Sequence, residues 1–333
     1  MKHEHDDTEP RIGAGAPDDD HMEVTGNQPR PPKVVLAGGS GLLGRRLADD
    51  FAARGFEVAV LTRTPSASSP HRLCAWDGRT VGDWAAELEG AVVVNLAGAL
   101  VDRRATAANI DLLTRSRVEP TRALVEAAAA VAVAPPLWLQ MSTLAIYGDA
   151  GDAELVEGSG IGSPRPQMTG VAQAWEAAVD GARADRLAIL RTGIVLDRNA
   201  PAMDRLVGLT CWGLGGRIGS GDQWVSWIHV EDFLAAIRRI VDDATIDGMV
   251  HITAPSPVRN RDMMASLRSA VGRPWSPPTP ASFVRIGARL MRTDPDLALT
   301  GRRCIPKRLL DDGMGFEFAT FDEAITELVG SSR

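Results

Sequence analysis

The sequence predicts an α/β protein built on a doubly wound parallel sheet, with a smaller C-terminal lobe. Three observations predict it. Short apolar runs alternate with helical periodicities over residues 33–196, the pattern of strands joined by crossover helices. A glycine-spaced turn, AGGSGLLG (Ala37–Gly44), links the first run to the first helical stretch. Beyond Leu196 the alternation loosens into a glycine-rich stretch, WGLGGRIGSGDQ, and shorter pieces.

Taken in order, residues 1–32 are rich in Asp, Pro and Gly with few large apolar residues. Such a segment cannot bury enough surface to offset ordering entropy, and a disordered tail is expected. His3, His5 and His21 read as polar residues of that tail, and no metal-ligand spacing occurs elsewhere. KVVLA (33–37) is a short apolar run ending in glycine, as a buried parallel strand should be. In the next fifteen residues Leu42, Leu43, Leu47, Phe51 and Ala52 share one helical face, and Gly55 closes the helix. EVAVLT, AVVVNLAG (91–98), LWLQMST and LAILRTGIVL (187–196) read as further strands. Helices are expected over 109–134, stopped by Pro135-Pro136, and over 172–184. A 33–196 nucleotide-binding domain and a 197–333 lobe follow, later strands such as MVHIT being available to complete the sheet.

Composition narrows the function classes. The 333 residues carry a net charge of -7, which argues against nucleic acid as a partner. No apolar run reaches the roughly 18 residues of a membrane span, and no membrane partner is expected. The polar start lacks the apolar core of a secretory signal. Cys74, Cys211 and Cys304 are far apart and odd in number, which suggests a reducing, cytoplasmic compartment.

The glycine turn lies between a strand and a helix, the context in which Gly38, Gly41 and Gly44 bind a dinucleotide. Gly38 permits the turn, Gly41 lets backbone approach a pyrophosphate, and Gly44 lets helix pack on strand. The free N–H groups of Ser40, Leu42 and Leu43 and the helix dipole would hold the phosphates. The second strand ends LTRT, with Arg63 where an NAD site usually has an acid. A guanidinium fork fits the 2′-phosphate of NADP, and Arg45 could assist. Asp77 is a candidate acceptor for the adenine amino group.

Together these segments form a Rossmann-like pattern and resemble the short-chain dehydrogenase/reductase superfamily. AGGSGLLG, NLAG (95–98), STLAIYG (142–148), LRTGIVL and WIHVEDF occur in the order expected of its extended members. More narrowly, VLTR, SRVEPTRALVEA, Trp175-Glu176 and LALTGRRCIPKRLLDDGMGFEF resemble the atypical "epimerase family". The resemblance implies NADP(H) as cofactor, with Leu96, Ala97 and Gly98 under the adenosine. It also puts Ser142, Arg191, Thr192 and Gly193 at the cofactor. Thr143 falls at the family's active-site Ser/Thr position, with Tyr147 four residues on. The usual catalytic tyrosine and lysine are replaced by Met168 and Ala172, which can neither donate a proton nor bind ribose. That replacement is a habit of the atypical group. Proton transfer would then fall to Tyr147, Thr143 or a bound water. Arg117 stands where extended members carry an asparagine, either near the nicotinamide or on the helix surface. The tryptophan and lysine common after NLAG are replaced near Ala105 and Asn109.

Arg217, Gln223, Trp227 and His229 are the candidate substrate residues. His229 reads either as a packing group between lobes or as a cleft residue, and Trp212, Trp224 and Trp227 as an aromatic wall or as core. The expected function is a reductase or epimerase acting on a small molecule. The alternative is an NADP(H)-binding sensor or partner protein without turnover. Extended members often dimerise through helices corresponding to 109–134 and 172–184, which makes a homodimer one possible assembly that nothing in these residues compels.

Overall fold

The computed structural model describes residues 1, 31–66, 68–163 and 168–330. The tail expected over residues 1–32 lies outside them apart from Met1, Pro31 and Pro32, and so do His3, His5 and His21.

The centre is a seven-stranded parallel sheet. Its strands are β1 (Lys33–Ala37), β2 (Glu57–Thr62), β3 (Arg72–Ala75), β4 (Val92–Asn95), β5 (Trp138–Thr143), β7 (Leu187–Thr192) and β11 (Gly248–Ile252), in the spatial order β11-β7-β5-β4-β1-β2-β3. Three two-residue or three-residue pairs lie outside it: β6 (Glu154–Leu155) with β13 (Arg303–Cys304), β8 (Ile194–Leu196) with β10 (Trp227–His229), and β9 (Trp224–Val225) with β12 (Val258–Arg259). Both faces of the sheet are covered, as all-parallel strands require. On one face Leu47 and Phe51 of α1 (Leu42–Ala53) and Phe233 and Ile237 of α5 (Val230–Asp242) pack with Leu36 and Leu139. On the other, Leu124 and Ala127 of α2 (Ala107–Ala130) pack with Val35, Trp84 and Trp138.

The structure differs from the sequence expectation in particular places. β3 is an additional edge strand, whose half-buried RLCA lacks the apolar run of an interior strand. The run 187–196 is two strands. At Gly193 the chain leaves the main sheet, where an added Cβ would lie 2.8 Å from the Ser226 carbonyl oxygen. The helix expected over 172–184 is α3, Met168–Ala177. β11 completes the main sheet beside β7.

The remaining helices are α4 (Pro201–Leu209), α6 (Asn260–Ala270), α7 (Ala281–Met291), α8 (Asp296–Leu299), α9 (Lys307–Asp311) and α10 (Phe321–Gly330). α6 and α10 build a satellite core with Trp227 around Met264, Leu267, Phe321 and Ile325.

Candidate functional site

The glycine turn follows β1, next to β4, where strand order reverses. This is where open α/β sheets bind ligands. Gly38 has φ +80°, and a Cβ there would lie 2.9 Å from the Ala97 amide nitrogen. A Cβ on Gly44 would lie 2.4 Å from the Gly39 Cα, so α1 packs flush on the turn. Gly41 is the N-cap of α1, exposed and with no side-chain cap, leaving the first-turn amides open to an anion. Arg45 braces the turn by donating to the Ser40 carbonyl at 2.6 Å. This cradle suits a diphosphate. Arg63 follows β2 directly and is exposed. Asp77 is also exposed, and its carboxylate accepts from the backbone of Thr80 and Arg79 and from the Thr80 hydroxyl, which holds its pKa below the usual range.

Leu96, Ala97 and Gly98 form the loop after β4. Asn95 fixes it: Oδ1 accepts from the Ala97 amide at 3.1 Å, while Nδ2 donates to Thr121 and Gln140. Arg117 closes the loop from α2. Its guanidinium donates to the carbonyls of Leu113 and Ala99, each at 3.1 Å, and lies 5.0 Å over the Trp175 ring. It is 7% exposed, so the surface position is excluded. Burial pushes its pKa down to about 10.

A cavity of about 350 Å³ opens at the carboxyl ends of β5 and β7. Thr143, Thr192 and Gly193 line it from the sheet, and Met168 and Thr169 from the start of α3. Trp224, Asp294, Leu297 and Arg302 line it from the C-terminal segments. Thr143 Oγ1 accepts from the Ala145 amide at 3.2 Å, which leaves its own proton free to donate. Asp294 is buried and accepts only from the Asp296 amide in the described contacts, and burial raises its pKa. Burial lowers that of Arg302. Neither Asp294 nor Arg302 is a candidate from the sequence: Asp294 precedes the C-terminal motif LALTGRRCIPKRLLDDGMGFEF, and Arg302 lies inside it with nothing to mark it as a cavity residue. Of the three tryptophans weighed as a wall, Trp224 lines the cavity. Trp212 is 86% exposed, and Trp227 is fully buried.

Tyr147 is not brought into this cavity. It lies in a buried network behind it. His251 Nδ1 sits 3.0 Å from the Ile305 carbonyl, which can only accept, so Nδ1 carries the hydrogen. Burial depresses the His251 pKa, so with Nδ1 protonated Nε2 accepts the Tyr147 hydroxyl proton at 2.7 Å, and the Val156 carbonyl is a second, longer acceptor at 3.3 Å. Arg191 donates to the same hydroxyl at 2.8 Å and pairs with Glu176 through two hydrogen bonds. Burial works against the Arg191 charge, but the Glu176 carboxylate outweighs it and raises the pKa. Ser142 donates to Glu176 Oε1 at 2.5 Å. Ser142, Arg191 and Tyr147 are thus members of one buried unit. Ala172 packs beside it with Leu144, Ile146 and Cys304.

The expected substrate residues are dispersed. Gln223 donates to the carbonyls of Ile218 and Ala298, and Arg217 to those of Gly219 and Ser220. These bonds brace loops. Trp227 belongs to the satellite core and donates to the Ser256 carbonyl. His229 is 2% exposed. It caps α5, lies 3.1 Å from Glu327 and stacks on Phe318, the packing role of its two readings.

Comparison with known proteins places this architecture. Residues 34–168 match the NAD dependent epimerase/dehydratase family, and residues 279–328 match a domain of unknown function, DUF1731. The epimerase family protein SDR39U1 of Bos taurus is 30% identical over 304 residues, covering 89% of this chain and 99% of the relative. The chain belongs to the epimerase family. An epimerase family protein of Mycobacterium leprae is also 30% identical, over 89% of this chain and 95% of its own length. The crystal structure of human SDR39U1 with NADPH superposes with a TM-score of 0.78 at 28% identity, covering 90% of this chain and 99% of that one. Among the described residues no helix is long and apolar enough to cross a membrane, and no cluster of potential metal ligands occurs.

Proposed function

We propose that this epimerase-family chain binds NADP(H) on the glycine cradle and Arg63, and reduces a carbonyl group of a small molecule held in the cavity. One observation carries the reading. The uncapped N-terminus of α1 and the cavity under Thr143 and Asp294 lie at the same, carboxyl end of one parallel sheet. That the human relative was crystallised with NADPH supports the cofactor. When bound, the cofactor supplies a hydride to the carbonyl carbon, and the carbonyl oxygen takes the displaced electron pair and a proton. Thr143 is free to donate a hydrogen bond to that oxygen. Asp294, whose pKa burial raises, lines the same cavity and is the proposed proton donor. Three cysteines without a disulfide partner support a cytoplasmic setting.

Turnover of NADPH against a panel of carbonyl compounds tests the proposal. Asp294→Asn is expected to lower kcat by about 100-fold with NADPH binding intact. In the unsubstituted chain kcat should fall as pH rises through the elevated Asp294 pKa. Retained turnover with an unchanged pH profile would remove Asp294 from the mechanism.

A second reading has its own support: Met168 and Ala172 replace the usual proton-relay pair, and the Tyr147 hydroxyl faces only internal acceptors, His251 and the Val156 carbonyl, among the described contacts. The chain would then be an NADP(H)-responsive partner protein. Tight NADPH binding with no turnover on a wide panel favours that reading over the first.

A further inference from the structure

α7 presents its larger apolar side chains outward. Phe283, Ile286, Leu290 and Met291 are 65%, 56%, 78% and 60% exposed, while the helix packs on the body through the small side chain of Ala288. The spacing puts the four on one face. Arg285, Arg289 and Arg292 form an exposed basic stripe on the opposite arc. Two exposed tryptophans accompany the helix: Trp275 lies in the segment leading into α7, and that segment is bonded to Arg217 and Gly219, a few residues beyond Trp212. Thr279 donates to the Arg217 carbonyl, Gly219 to that of Thr279, and Arg268 to that of Gly215.

Within α7 and the segment leading into it the charge has one sign, with acids flanking it at Asp294, which is buried, and at Asp102, which bonds Thr293 and pairs with Arg205. From Met263 to Thr293 the sequence holds five arginines and no acid, in a chain whose net charge is -7. A helix with bulky apolar residues on one face and arginines on the other, flanked by exposed tryptophan, has the make-up of one lying in a lipid–water interface. At 11 residues it is too short to cross a bilayer. A second copy of the chain would cover the apolar face alone, because the arginines lie on the far arc and a self-paired patch supplies no opposite charge for them. An anionic phospholipid surface supplies both the apolar depth and the opposite charge, as the cytoplasmic leaflet does.

We infer that α7, together with Trp275 and Trp212, seats this protein on an anionic membrane surface as a peripheral contact. This departs from the sequence expectation of no membrane partner, which considered spanning segments only. The position of the patch gives the contact a use. Asp294 and Leu297, just after α7 in the chain, line the cavity, so the contact would hold the site close to the bilayer surface.

Co-sedimentation of the full chain with phosphatidylcholine vesicles, with and without phosphatidylserine, tests the inference. Binding is expected to the phosphatidylserine vesicles and to weaken with salt. Arg285→Ala with Arg289→Ala should weaken it roughly 30-fold. Phe283→Ser with Leu290→Ser should abolish it. Unchanged melting curves would show that both variants fold. No binding to phosphatidylserine vesicles would overturn the inference. So would light scattering that shows a dimer dissociated by Phe283→Ser with Leu290→Ser. Equal binding by all variants would equally remove α7 from the contact.

Discussion

The two ends of the candidate site are built in different ways. At the glycine turn the groups that would meet a ligand are backbone amides, and the side chains are glycines, chosen for the space they leave. Around Tyr147 the side chains are long and polar and meet mostly each other. Ser142, Glu176, Arg191, Tyr147 and His251 come from four separate segments and satisfy one another's hydrogen bonds. The first arrangement leaves donors open for a ligand. The second closes them inside the protein. A polar cluster near an active site is therefore no sign of catalysis until its hydrogens are accounted for.

The largest effect should come from breaking the closed unit. Glu176→Ala leaves the Arg191 guanidinium buried without its carboxylate, and the loss of a buried partner costs about 3–5 kcal/mol. Denaturant unfolding should show that loss. A change under about 1 kcal/mol would mean that the pair is solvated and the unit is open.

A smaller effect is expected at the open end. Arg63 is exposed at the end of β2, so its removal should leave folding alone. A charge-assisted contact with the 2′-phosphate contributes about 1.5–3 kcal/mol, so Arg63→Ala should weaken NADP binding by about 10- to 100-fold and leave NAD almost untouched. Calorimetry with both dinucleotides measures this. Equal loss for the two would deny Arg63 any part in distinguishing them.

The contrast also explains what the sequence could and could not disclose. A backbone site writes itself locally, as glycines at fixed spacing between a strand and a helix. Gly38, Gly41 and Gly44 could be assigned separate tasks before any coordinates, and Gly38 and Gly44 occupy positions where a Cβ would collide. Interior strands were legible for a similar reason, each being a continuous apolar run. β3 was missed because an edge strand that begins with Arg72 needs no such run. Trp227 and His229 were misplaced toward substrate because aromatic and imidazole groups serve equally well in a core. Asp294 left no local mark, and Arg302, though inside the C-terminal motif, carried nothing that pointed to a cavity. They reach the cavity only because β13 and α8 fold back over the sheet, a long-range fact that spacing does not encode.

The finest distinction lies at Tyr147. With the family's usual tyrosine replaced by Met168, Tyr147 is one of three candidates for proton transfer beside Thr143 and a bound water, whereas the geometry gives its proton to His251 and its oxygen to Arg191. Burial also raises its pKa, which keeps the hydroxyl protonated and holds it in the network. Tyr147→Phe removes one hydroxyl from a packed interior and leaves Arg191 and His251 each short of a partner. The expected cost is about 1–3 kcal/mol of stability, read by denaturant midpoint, with kcat unchanged below the melting range. His251→Phe should cost stability in the same way and also spare kcat, because it acts on the same closed unit. If Tyr147→Phe abolished turnover while the fold kept its stability, the hydroxyl would have to swing out of this network to act. The boundary drawn between the open and the closed halves of the site would then be in the wrong place.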